Sequence, residues 1–263
     1  MALPPEQEPD SESLQPWHEP QPDVVIAGLS GRELMDEKRR DYRNAVFVQV
    51  SIVAIALLVA DVGRTPAWYF FLAATGTYLF LLWDMLRNFT ARRWLARTLL
   101  AVVVGLFAVT VGVNQFGWTF GLDPRQVNLG LFVISLAAQG LVIGHAIADL
   151  FDSPRNTVDK LWGSACVYFM SGIFFASLFH ILNLLHGDLF GQAVGTGHEA
   201  FFEAIYLSFN SLVGLDSAYP NASHLLRNLT VLEGIWGQLY LVLLIGRVLM
   251  PADSASPSRL GAD

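Results

Sequence analysis

The residues best placed to do chemistry lie between Ala200 and Pro220. An apolar segment, AFFEAIYLSFN (Ala200 to Asn210), runs into a turn-rich one, SLVGLDSAYP (Ser211 to Pro220). The first predicts a helix of about 11 residues, roughly 16 Å at 1.5 Å per residue. That is about half of a hydrocarbon core of roughly 30 Å. Irregular backbone at membrane depth is tolerated only where it is buried in protein or lines a watery cavity. Re-entrant loops of this kind build selectivity filters. The expected chemistry is therefore passage of an ion, with no bond made or broken.

Other reactive side chains offer less. The chain has no nucleophile motif, no paired carboxylates inside its apolar runs and no Gly-rich phosphate loop, so no enzyme activity is expected. His145, His180 and His186 suit either proton sensing or hydrogen-bonded packing. Their spacing suggests no metal site, and no cofactor is expected. Cys166, the single cysteine, sits in an apolar run and reads as core filler. Glu233 lies near the start of the last apolar run. An acid there is a functional candidate by default. It could buttress the short helix, touch the ion, or sit solvated at the interface. Gly234, Gly237 and Gly246 suit either bending or close packing of that last helix.

The elements that must hold these residues are membrane helices. Hydrophobic residues make up 53% of the chain and charged residues 15%, against about 25% charged in soluble domains. Charge-free windows predict six spans: Ala45 to Ala60, Pro66 to Trp83, Thr98 to Trp118, Val127 to Ala148, Leu161 to Leu185 and Leu229 to Met250. The lipid bilayer is thus the first partner. Nucleic acid is not one, because no basic face is large enough. The tail, residues 1–43, is acidic and proline-rich and reads as disordered as far as about Asp23. Glu33 to Arg43 suggests a short charged helix along the membrane surface. Residues 44–150 form a four-helix transmembrane region, 151–250 a pore domain, and 251–263 a short tail.

Orientation follows from the basic residues. With the N-terminus inside, all of the 16 Lys and Arg face the cytoplasm except Arg64, Arg125 and Arg227. Both termini are then cytoplasmic, and the loop between the fifth and sixth spans faces out. The fourth span has no basic residue from Gln126 to Ala148, so no voltage sensor is expected.

Three stretches carry a family likeness: TVDKLWGSACVYFMSGIFFASLFHIL (Thr157 to Leu182), AIYLSFNSL (Ala204 to Leu212) and LEGIWGQLYLVLLIGRV (Leu232 to Val248). Together they resemble the bacterial potassium-channel pore family, whose pore reads roughly ALYFSFVTLTTVGYGD, followed by a linker and LAVLEALIGQLYLAVLIARLV. Glu233 and the GQLY string from Gly237 to Tyr240 match well. The resemblance covers about the last 105 residues. It implies an all-α membrane protein with six transmembrane helices and a re-entrant pore helix and loop between helices five and six. It also implies a homotetramer in a cell (inner) membrane, since one pore loop per chain needs four chains around an axis, with potassium or another monovalent cation as the permeant ion.

The filter signature departs from the family. Aligned without a gap, Val213 to Tyr219 replace the TVGYGD region and both glycines are lost. With the pore helix shortened, Ser211, Leu212, Val213, Gly214, Leu215 and Asp216 match T-T-V-G-Y-D with the second glycine deleted; this spacing is preferred because it keeps the V-G step and the acidic exit. The resemblance then makes Ser211, Leu212, Val213, Gly214 and Leu215 carbonyl donors, Asp216 a ring of charge at the outer mouth, and Glu233 and Gly237 pore support. Fewer glycines mean fewer inward carbonyls, so the expectation is conduction with altered potassium selectivity. The rival is a non-conducting scaffold or regulatory protein on a channel-derived fold. A small secondary transporter would show an internal repeat, and none is visible between the two triplets of spans.

Overall fold

The computed structural model describes residues 31–59, 64–89, 93–118, 121–152, 157–187, 189–191, 195, 197–215 and 219–249. Among them the chain is helical, with no strand. The helices are α1 (Gly31–Val59), α2 (Arg64–Phe89), α3 (Arg93–Phe116), α4 (Pro124–Asp152), α5 (Thr157–His186), α6 (His198–Val213) and α7 (His224–Leu249). Contacts divide the chain into a leading unit, Met1–Lys38, and a second unit, Arg39–Asp263. Of the leading unit only residues 31–38, the first turns of α1, are described. The expected disorder up to Asp23 and the short tail at 251–263 lie outside the described residues. All packing below belongs to the second unit.

Among the described residues four helices are long and apolar enough to cross a membrane: α2 over Tyr69–Arg87, α3 over Trp94–Val113, α4 over Pro124–Leu150 and α5 over Leu161–His186. The apolar part of α1 is shorter, Tyr42–Leu58. Helix α7 has the length, 26 residues. The charged stretch before the first apolar run is not a separate surface helix. It is continuous with that run in α1, and Tyr42, inside it by sequence, is buried and donates a 2.9 Å hydrogen bond to Asp149 of α4.

Local signals explain where the helices begin. At α4 the Asp123 carboxylate accepts the Arg125 amide at 3.0 Å, and Pro124 fills the first helical position, where a missing N–H costs nothing. Arg125 then reaches the far end of α5 and donates through Nε to the Leu184 carbonyl. A cation at a helix C-terminus offsets the partial negative charge there.

Helix α5 is the hub, packed against α4, α6 and α7. Of its apolar window 61% is buried, against 22% for α4. A helix apolar on all sides belongs inside, and small residues let its neighbours approach closely. At Gly172 a Cβ would stand 2.6 Å from the Phe209 ring of α6, so any larger residue would displace that ring.

Candidate functional site at the end of helix α6

Helix α6 is built to sit between α5 and α7. Ala200, Ala204, Leu207, Ser208, Ser211 and Leu212 fall on one helical stripe and are buried. Glu199 in the first turn complements the positive helix start. Opposite the stripe's C-terminal end, Val213 and Leu215 are exposed.

The helix runs through Val213, three residues beyond the sequence expectation of Asn210. The buried stripe continues at Ser211 and Leu212, so helical packing outweighs the extended segment expected from Ser211 onward. This removes the shortened helix that the preferred filter spacing required. Gly214 ends the helix at φ 81° and ψ 27°, the left-handed region that glycine enters without steric cost. The Gly214 amide donates to Ser211 O at 3.0 Å and the Leu215 amide to Asn210 O at 2.9 Å. That pair of bonds is the Schellman closure of a helix end.

Every carbonyl of this last turn has a partner within the chain. Tyr168 of α5 donates its hydroxyl to Leu212 O at 3.3 Å. Gln238 of α7 donates from Nε2 to Val213 O at 3.2 Å. The Ser211 hydroxyl turns back to Leu207 O at 2.9 Å. The backbone oxygens of Ser211, Leu212 and Val213 are thus committed, and Leu215 stands at the exposed edge. Asp216 lies outside the described residues.

Glu233 is not solvated. It is fully buried on α7, with Oε1 2.5 Å from the Ser208 hydroxyl of α6. Ser208 Oγ also lies 2.7 Å from Gly172 O of α5. One serine therefore joins the three helices. Gly237 lets α7 lie against the end of α6, since a Cβ there would stand 2.2 Å from Leu212 O. Gly234 faces Ser211 O at 3.1 Å in the same sense. Tyr240 donates to Ser164 O at 2.8 Å and ties α7 to α5.

The linker folds back over the other end of α6. Tyr219 is buried against Phe190 and donates its hydroxyl to the Glu203 carboxylate. Burial first, then the hydrogen bond and charge of Glu203, push the Tyr219 phenol above its ordinary range. Gly191, at φ 72°, lets this turn lie on Asn221, whose carbonyl oxygen would stand 2.1 Å from an added Cβ. The Ser223 amide closes the seam on Leu189 O at 3.0 Å.

Sequence reasoning placed Gly214, Glu233 and Gly237 at this site and missed Tyr168, Gln238, Ser208 and Tyr219 as its fasteners. Tyr168 read only as packing surface or an interface anchor. The histidines separate: His145 Nδ1 lies 2.9 Å from Leu141 O on its own helix, His180 is buried between Phe132 and Phe201, and His186 is exposed. Among the described residues no three His, Cys, Asp or Glu side chains come together as a metal site. No family model, curated protein or solved structure matches the chain.

Proposed function

We propose that this chain is the pore-forming subunit of a potassium-channel-like membrane protein, passing monovalent cations with weakened potassium selectivity. Six spans (α1 to α5 and α7) would enclose α6 as a re-entrant helix, with both termini cytoplasmic. The observation that carries this is α6 itself: 16 residues, about 24 Å at 1.5 Å per residue, too short to cross and wedged between α5 and α7 at Ser208. A helix so buried, and shorter than a hydrocarbon core of about 30 Å, would support a re-entrant loop.

Assembly into four copies is supported by the open face of α7. Val231, Leu232, Ile235, Leu239, Val242 and Leu243 form an exposed apolar stripe, as a helix facing neighbouring copies requires. Weakened selectivity is supported by the closed helix end. Carbonyls held by Gly214, Leu215, Tyr168 and Gln238 are not free to replace an ion's hydration shell. Side chains beyond Leu215 in the sequence, Asp216 above all, would then attract the cation.

The same closed end favours a second reading, a non-conducting tetramer on a channel-derived fold. Purified protein in bilayers under a potassium/sodium gradient separates the two. The expected result is a cation current whose reversal lies well away from the potassium Nernst value and which falls in Asp216→Asn. No current from the native chain, with current appearing once T-V-G-Y-G-D replaces the native turn, would give the second reading the field. A reversal at the potassium Nernst value would refute the weakened selectivity.

A further inference from the structure

Ser208 stands where α5, α6 and α7 meet, and its hydroxyl has two oxygens within reach. Gly172 O of α5 lies at 2.7 Å and Glu233 Oε1 of α7 at 2.5 Å. Both separations are those of made O–H···O bonds, so each needs a hydrogen between its oxygens. A serine hydroxyl owns one hydrogen and can accept others, whereas a backbone carbonyl only accepts. The serine's hydrogen fills the bond to Gly172 O. The bond to Glu233 is then empty unless the carboxyl brings a hydrogen of its own. An ionised carboxylate has none to bring. With it, one of the two contacts would be a pair of oxygens facing each other with nothing between them.

The other carboxyl oxygen gives the same answer. Glu233 is fully buried, and its Oε2 has no hydrogen-bond partner. Among the described residues no cationic side chain bonds it. Tyr168 of α5 is the titratable neighbour, and its hydroxyl is spent on Leu212 O. From α6 the polar contact is Ser208. A buried carboxylate with one bare oxygen and no counter-charge is far more costly than a neutral acid whose carbonyl oxygen is bare. The hydrogen count and the burial are independent observations, and they agree.

We propose that Glu233 is a neutral carboxylic acid that donates from Oε1 to Ser208 Oγ, and that this hydrogen latches α6 in place. The relay runs from Glu233 through the Ser208 hydroxyl to Gly172 O. Without the acid hydrogen, the serine can fasten α6 to one neighbour only, either α5 or α7. Glu233 is then a positioning residue for the short helix and carries no charge with which to hold a cation. The assignment stands on the packing of α5, α6 and α7 and does not rest on the channel reading.

The test is infrared spectroscopy of the full-length protein at neutral pH, in a detergent that has no carbonyl group. Ordinary Asp and Glu side chains titrate at about 4 and are ionised there, so the C=O stretch of a neutral acid stands out. The native protein is expected to show one, at the high-frequency end where a C=O without a hydrogen-bond partner absorbs. It is expected to shift down when the glutamates carry 13C at the side-chain carboxyl, and to disappear in Glu233→Gln. The latch is read by amide hydrogen exchange along α6. Glu233→Gln keeps a donor in its amide and is expected to exchange within about twofold of the native chain. Glu233→Met has no donor and is expected to quicken exchange about fivefold, the equivalent of a hydrogen bond worth about 1 kcal/mol. A native spectrum without a 13C-sensitive acid band would overturn the proposal with no variant needed, as would Glu233→Gln exchanging as fast as Glu233→Met.

Discussion

Replacing Gly237 by alanine tests how α7 holds the end of α6. The new methyl would lie 2.2 Å from Leu212 O and 3.1 Å from both the carbonyl carbon and Cδ1 of Leu212. Ordinary contact needs about 3.2 Å or more, so one helix must retreat by about 1 Å. The obstacle is backbone, which cannot rotate away as a side-chain tip would. Overpacking of this kind costs about 1–3 kcal/mol. The retreat also stretches the Tyr168 bond to Leu212 O, already 3.3 Å, and the Gln238 bond to Val213 O. Alanine returns up to about 1 kcal/mol of helix propensity, so the net loss is about 1–2 kcal/mol. At about 2–4 °C per kcal/mol for a chain of this size, the melting temperature falls by about 2–8 °C. Gly105→Ala on α3 is the control, because its Cβ meets nothing within 4 Å. Intrinsic tryptophan fluorescence during a thermal ramp in detergent reads both. A Gly237→Ala melt at or above those of the native chain and Gly105→Ala would refute the close approach.

Other consequences follow from the same geometry. Gly214→Ala forces a side chain into the left-handed region and brings Cβ to 3.0 Å from Gln238 Nε2; a loss of about 1–2 kcal/mol is expected by chemical denaturation, less for Gly214→Asn. Ser208→Ala and Glu233→Ala each lower stability by about 1–3 kcal/mol, and their double-mutant cycle gives a coupling above about 0.5 kcal/mol because the two side chains share one hydrogen bond; strict additivity would count against that bond. The Tyr219 phenol, raised by burial and by Glu203, contributes stability that is fully present below the free phenol value of about 10 and is lost as pH rises through the higher folded value. Tyr219→Phe is therefore expected to flatten the alkaline limb of the stability profile; identical limbs in the two proteins would remove this coupling.

Hydropathy made the helices legible, and the reason is physical: a chain that must cover its backbone polar groups in lipid writes long apolar runs. It did not show that α1 continues through its charged start, because the run of Lys and Arg hides Tyr42, which lies in the buried core and bonds a partner on α4. Glu233 and Gly237 were legible as exceptions, an acid and a small residue in an apolar helix. The end of α6 was not. Ser-Leu-Val-Gly fits an extended filter by likeness and a helical stripe by period, and the choice is made by residues far along the chain. Tyr168 precedes its acceptor by 44 residues and Gln238 follows its own by 25. No local pattern carries such a bond. Gly214 is needed in either case, so its presence could not discriminate.

That choice bears directly on function. A stacked filter needs carbonyls that point at an axis and have no other partner. Here Asn210, Ser211, Leu212 and Val213 each accept a hydrogen bond from their own chain. Releasing all four would cost about 2–6 kcal/mol per chain at about 0.5–1.5 kcal/mol each, and would also undo the left-handed turn at Gly214. On the proposed channel reading, a cation would have to return that energy in every copy of the chain before gaining any preference over water. On that reading the less costly arrangement leaves the helix end shut, and side chains beyond Leu215 would meet the ion. Such a path would attract cations by charge and would not sort them by how they shed water. Loss of the Tyr168 and Gln238 bonds in the double variant Tyr168→Phe, Gln238→Leu should therefore lower stability without raising potassium preference. A gain of potassium preference in that variant would mean that the carbonyls were held back from a filter they can still form.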